Sequence, residues 1–145
     1  MKKKNLIFLI MILIAPILFT SCGKKEEVKL QAFSAEAFAY SLPEGWEVNA
    51  TVRIKGFKQD KENETFIAKL SYSIDLINPK GETIKGLAKD TLDEENMEEF
   101  SDLPVEAQFN LDTKNEAGKY KIVFNIKDEI ANQSTQITKE FELTK

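Results

Sequence analysis

The sequence predicts an all-β chain, a single antiparallel β-sandwich of roughly seven short strands. Three observations carry that expectation. Apolar and polar residues alternate with a period of two in several stretches between Trp46 and Leu143, the pattern of strands with one dry and one wet face. Turn chemistry separates these stretches, most clearly in NPKG at residues 78–81. Past residue 22, no stretch sustains the three- and four-residue apolar spacing of an amphipathic helix. A partly open barrel would accommodate the same strands.

Taken in order, EAFAYS at residues 36–41 reads as a first strand. WEVNATVRIKGF then points Trp46, Val48, Ala50, Val52 and Ile54 to one face, with Glu47, Asn49, Thr51, Arg53 and Lys55 on the other. TFIAKLSYSIDLI repeats the pattern, with Phe66, Ala68, Leu70, Tyr72, Ile74 and Leu76 inward. Beyond the turn at 78–81, ETIKGLA is a weak strand, because Gly86 has no side chain to pack. KDTLDEENMEEFSD, residues 89–102, reads as a charged loop or a single helical turn. VEAQFNLD turns Val105, Ala107, Phe109 and Leu111 inward, and KYKIVFNIKD does the same with Tyr120, Ile122, Phe124 and Ile126. STQITKEFEL closes the series with Ile137, Phe141 and Leu143 inward. Lys139 falls in that inward phase, which predicts an edge strand, since an inward charge discourages pairing with another sheet edge.

One stretch narrows the expected fold. EAGKYKIVFNIKD, residues 116–128, resembles the sixth strand of immunoglobulin-like domains, in which an acidic residue, a small residue and a tyrosine precede the strand. The resemblance implies a tyrosine corner: the Tyr120 hydroxyl would bond back to the backbone between two strands, and Gly118 would permit the turn. The position that holds a disulfide cysteine in antibodies is Ile122, so the chain would be a cysteine-free relative. Asp128 resembles the acidic residue at that place in many bacterial immunoglobulin-like modules, and is expected to cap the following hairpin.

The start of the chain has a different character. Lys2, Lys3 and Lys4 precede an almost unbroken apolar run, Leu6 to Phe19. At 1.5 Å per helical residue that run reaches roughly 21 Å, short of a bilayer core of about 30 Å. A charged start, an apolar middle and the small pair Thr20 and Ser21 follow the grammar of a cleaved export signal, residues 1–21. The stretch LFTSC resembles the lipobox of bacterial lipoproteins, with Phe19 departing from the usual aliphatic residue three positions before the cysteine. That resemblance implies acyl chains on Cys22, cleavage just before it and attachment to the membrane through lipid. Two or three chains, at about 0.8 kcal/mol per buried methylene, make such attachment lasting. Residues 22–34 would then be the lipidated N-terminus and a flexible tether, and residues 35–145 the domain. Gly23 in place of an aspartate implies release to the outer membrane. Lys25-Glu26-Glu27 resembles an export tag that carries lipoproteins to the cell surface, and also reads as a solvated linker.

Composition excludes several functions. Loss of the 3 lysines of residues 1–21 takes the net charge from −4 to −7, which argues against nucleic acid as a partner. The chain has no histidine, the commonest general base and metal ligand, and its one cysteine is assigned to lipid. No serine or cysteine triad, zinc site or glycine-rich phosphate loop can be assembled. The acids of DEENMEE, and Asp60, Glu62 and Glu64, lack the spacing of a calcium loop and read as solvated groups. No enzyme and no cofactor is expected. Asp90-Thr91-Leu92 resembles a short bacterial O-glycosylation motif, which makes Thr91 a candidate acceptor. The expected role is a lipid-anchored envelope module that binds or scaffolds another envelope protein. A surface carbohydrate-binding module is the alternative, with Trp46, Tyr40 and Tyr72 as its aromatic candidates, although the alternation buries Trp46 and Tyr72. A calcium-stabilised sandwich is a third reading.

Overall fold

A computed structural model describes residues 28–144 of the chain. The signal segment 1–21, Cys22 and the tag Lys25-Glu26-Glu27 lie outside the described residues. Eight strands and no helix make up the described part: β1 (Gln31–Leu42), β2 (Gly45–Lys55), β3 (Asp60–Glu62), β4 (Thr65–Ile77), β5 (Thr83–Asn96), β6 (Leu103–Asp112), β7 (Gly118–Asp128) and β8 (Gln133–Leu143). They form two antiparallel sheets, one ordered β1-β2-β6 and the other β5-β4-β7-β8, with three-residue β3 beside the start of β4. The molecule is a β-sandwich.

The inward phases of the strands other than β3 supply the core. Val52 and Ile54 from one sheet, and Leu70, Ile74, Ile122 and Phe124 from the other, are fully enclosed. At about 25 cal/mol per Å² of apolar surface removed from water, this interior is the main source of stability. Trp46 is buried as its phase predicts, and its indole Nε1 donates to the Thr144 carbonyl at 2.7 Å, which ties the last described residue to β2. Lys139 is exposed on β8, an edge of the larger sheet, as an inward-phase lysine requires.

Two elements differ from expectation. The stretch read as a charged loop or helical turn, residues 89–102, divides: its first part belongs to β5, which runs to Asn96 with Leu92 opposite Leu70 and Asp93 opposite Lys69, and residues 97–102 are the loop that leads into β6. Both faces of this edge strand are largely wet, so charged residues such as Lys89, Asp90, Asp93 and Glu94 fall on both of them and conceal its period. Its ladder slips between Ile74 and Leu76, opposite a segment where Gly86 takes a left-handed φ of 63° and donates its N–H to Asp75 Oδ1 at 2.7 Å. Glycine is there for a bulge.

The second difference lies in β1, which opens at Gln31 inside the stretch read as tether, with Leu30 already buried. The Leu30 N–H donates to Gln133 Oε1 at 3.1 Å, fixing this entry to the start of β8. A bulge between Phe33 and Glu36, with Ser34 at φ 50°, then shifts the phase of β1 by one residue. Before and after the bulge, Phe33, Glu36, Phe38 and Tyr40 pair with Arg53, Thr51, Asn49 and Glu47, all on the wet face of β2. Ala37 and Ala39 face inward instead, on the side where β1 lies against β8. The usual pattern is inverted in β1: small residues inside, aromatic ones outside.

Candidate functional site

The wet face of the three-stranded sheet is the candidate site. Its registers place residues in rungs across β1, β2 and β6. One rung is Phe38, Asn49 and Gln108; the next is Tyr40, Glu47 and Asn110; on the other side lie Glu36, Thr51 and Glu106. Neighbouring strands stand about 4.8 Å apart, and same-face residues recur about every 6.7 Å along a strand. The result is a column of aromatic rings on the edge strand, flanked by two columns of amides, hydroxyls and carboxylates.

Phe38 is 56% exposed and Tyr40 58%, and Leu42 follows at 44%. Phe33 is less exposed, and the Lys55 ammonium sits 5.0 Å from its ring centroid. A shallow depression of about 330 Å³ beside Phe38 is lined by Asn49, Thr51, Glu106 and Gln108. The Asn49 amide donates to Glu47 Oε1 at 3.0 Å, which orients both side chains along β2. Among the described residues, the Gln108 and Asn110 side chains have no hydrogen-bond partner, so their amides are open to a ligand. Arg53 is paired with Asp102 at one end of the face.

The wet face of the larger sheet is built otherwise. Its polar groups bond to one another: Asn125 Nδ2 donates to Asp75 Oδ2 at 3.1 Å, and Gln136 Nε2 donates to Asn125 Oδ1 at 2.8 Å. Lys127 pairs with Glu129 at 2.6 Å, and the Ser71 hydroxyl donates to the same carboxylate. These two donors hold the Glu129 carboxyl below its ordinary range, the lysine being the larger cause. A trough of about 490 Å³ between Ser73 and Gln136 crosses this face, and the one aromatic that lines it, Tyr72, is half-buried.

The other sequence-predicted residues fall as follows. The Tyr120 hydroxyl donates to the Glu116 carbonyl at 2.9 Å, four residues upstream, while its ring is buried against Phe141. Burial, and then the Glu116 carboxylate, push its phenol above the ordinary value. Gly118 has φ 145°, and a Cβ there would meet Pro79 Cγ at 3.1 Å, so no larger residue suits this corner. Asp128 is 1% exposed and accepts three backbone N–H bonds, from Lys58 at 2.7 Å, Ile130 at 2.9 Å and Ala131 at 3.0 Å. It caps the β7–β8 hairpin and also fastens the connection after β2. Thr91 is exposed in the middle of β5, opposite Ser71. Asp60, Glu62 and Glu64 are exposed, and among the described residues no group of acids is arranged to hold a metal ion. Tyr72 is half-buried, and burial followed by the Asp90 charge raises its phenol.

Of the three aromatics singled out in the sequence for sugar stacking, only Tyr40 is open to solvent. Phe38 was the residue missed. Its signal was the even spacing of F and Y in AFAYSL, which puts both rings on one face of a strand. No family model matches the chain, and no match is found among curated proteins.

Proposed function

We propose that the chain is a non-enzymatic binding module, held at the outer membrane by acyl chains on Cys22, that meets its ligand with the wet face of the three-stranded sheet. The observation that carries this reading is the pair Phe38 and Tyr40, large rings more than half exposed on an otherwise polar face. The absence of histidine from the 145 residues supports a binding role over a catalytic one. The β1-β2-β6 and β5-β4-β7-β8 orders, with the Tyr120 hydroxyl on the Glu116 carbonyl, support an immunoglobulin-like form of the sandwich.

A short anchor gives the module an orientation. Residues 23–29 span at most roughly 25 Å when extended. The strand entry at Leu30 and Gln31 would therefore face the bilayer, together with the β7–β8 hairpin that Leu30 bonds to. β1 runs away from that end, so Phe38 and Tyr40 lie in its outer half, clear of the lipid. Lys25-Glu26-Glu27 supports display at the cell surface, which protease shaving of intact cells would report. Of the two ligand classes the sequence suggests, another envelope protein and a glycan, the chemistry of the face favours the glycan.

Intact-mass measurement of the membrane-extracted protein tests the anchor. The expected mass is that of residues 22–145 plus acyl chains, and Cys22→Ala is expected to leave the signal segment uncut and to abolish the lipid mass. An unacylated wild-type chain would remove the anchor from the proposal.

A further inference from the structure

We infer that the outer face of β1, β2 and β6 binds a neutral glycan laid along β1, with Phe38 and Tyr40 as stacking platforms and Asn49, Gln108 and Asn110 as hydrogen-bonding partners. The inference rests on the reading of this face as the ligand surface and adds the ligand's chemical class.

A sugar ring presents C–H groups on its faces and hydroxyls around its rim. It needs a flat apolar surface beside planar groups that both donate and accept. The face supplies these in the required order. Each exposed ring heads a rung whose next member, about 4.8 Å away, is Asn49 or Glu47, and whose third member is the amide of Gln108 or Asn110. Two rings about 6.7 Å apart on one strand offer consecutive stacking positions to a linear chain. The depression beside Phe38 gives the first position side walls from Thr51 and Glu106.

Charge narrows the class. Glu36, Glu47, Glu106 and Asp112 lie on this face, and its two cations are already engaged, Arg53 with Asp102 and Lys55 over the Phe33 ring. Polyanionic glycans and nucleic acids are repelled by such a surface, and hydroxyl-rich neutral chains are not. A protein partner fits less well. Phe38, Tyr40 and Leu42 together expose roughly 300–400 Å², an ordinary patch for a monomer and less than half of the about 800 Å² per partner of a standard interface. The unpartnered amides around them would also need matching groups across a protein interface.

The test uses the full-length protein, extracted in a detergent without a sugar headgroup and screened on an array of neutral and acidic oligosaccharides. Neutral oligosaccharides of two or more hexose units are expected to bind. Phe38→Thr and Tyr40→Thr, which keep strand propensity while removing the rings, are each expected to weaken binding at least tenfold, and Gln108→Ala severalfold. Ser73→Ala on the other sheet is expected to change nothing. Binding restricted to acidic glycans, or neutral binding indifferent to the loss of both rings, overturns the inference. A photo-crosslinking residue in place of Leu42, used in intact cells, separates the two levels of the reading. A protein adduct with a blank array overturns the glycan and leaves the binding face; blanks in both overturn the face itself.

Discussion

The two wet faces of the sandwich use similar residue types to opposite ends. On the larger sheet, Asp75, Asn125 and Gln136 close a hydrogen-bond chain, and Ser71, Lys127 and Glu129 close another. On the smaller sheet, exposed Phe38 and Tyr40 share rungs with Gln108 and Asn110, whose amides have no partner among the described residues. A polar group already bonded within its own sheet gains little from a ligand, since binding only exchanges one partner for another. An open amide beside an unburied ring gains from both contacts. On the proposed reading one face serves stability and the other recognition, and substitutions on the two should separate these quantities.

The largest stability effect is expected where commitment is most complete. Asp128→Ala leaves three backbone donors without their acceptor, at about 1–3 kcal/mol for each group left unsatisfied, partly offset by entering water. A loss of about 3–5 kcal/mol in urea unfolding is expected, and about 1–2 kcal/mol for Asp128→Asn, which keeps the shape and one oxygen. Glycan binding by the fraction still folded should not change. A loss below about 1 kcal/mol for the alanine variant would mean that the carboxylate is not the pin that joins the hairpin to the β2–β3 connection.

The faces themselves are compared next. Phe38→Thr with Tyr40→Thr should shift unfolding by no more than about 0.5 kcal/mol, as exposed substitutions do, while ligand capture falls at least tenfold. Asn125→Ala should do the reverse, costing about 1 kcal/mol of stability and leaving capture intact. Equal effects of the two changes on stability and capture would erase the distinction.

How much of this was legible in the sequence depended on whether a strand has one dry face. β2, β4 and β7 do, and the residues placed inward from their alternation are buried in the core or packed against it, except Phe66, which lies outside the core under the Lys61 ammonium. β5 has almost no dry face, so its acids concealed a strand that only the ladder to β4 reveals. β1 is legible only in part, because the bulge at Ser34 breaks its phase and alanines occupy its inner positions. The candidate site shares that fate. Tyr40 was visible as a ring, but nothing in a linear reading said that Asn49 and Gln108 share a rung with Phe38, since that depends on the register of three strands. Long-range bonds such as that from the Lys58 N–H, in the β2–β3 connection, to Asp128 are beyond sequence patterns for the same reason.

A smaller effect is expected at the corner that joins the two sheets. Tyr120→Phe keeps the buried ring and removes the bond to the Glu116 carbonyl, at about 1 kcal/mol. The pH dependence reports the burial of the phenol. Burial raises the folded-state phenol above 10.0, so above that pH the unfolded chain releases its proton first and the folded form loses stability as pH rises. Wild-type stability should therefore fall more steeply than that of Tyr120→Phe above about pH 10, and the two curves should converge.

The smallest expected effect lies on the committed face and has the opposite sign in pH. Lys127 and then Ser71 hold the Glu129 carboxyl below 4.5, so its contribution is present above that pH and is lost as pH falls through the lower folded value. Glu129→Gln should flatten this part of the acid limb of the stability curve without moving the neutral plateau far, because the ion pair is exposed to solvent. Raising the ionic strength should shrink the difference between the two proteins, as screening does for a surface pair. A difference that survived high salt would assign the effect to the neutral Ser71 hydrogen bond instead. The larger sheet's polar network would then be held by hydroxyl and amide bonds rather than by charge, which makes its contrast with the open amides of the smaller sheet a matter of partnering alone.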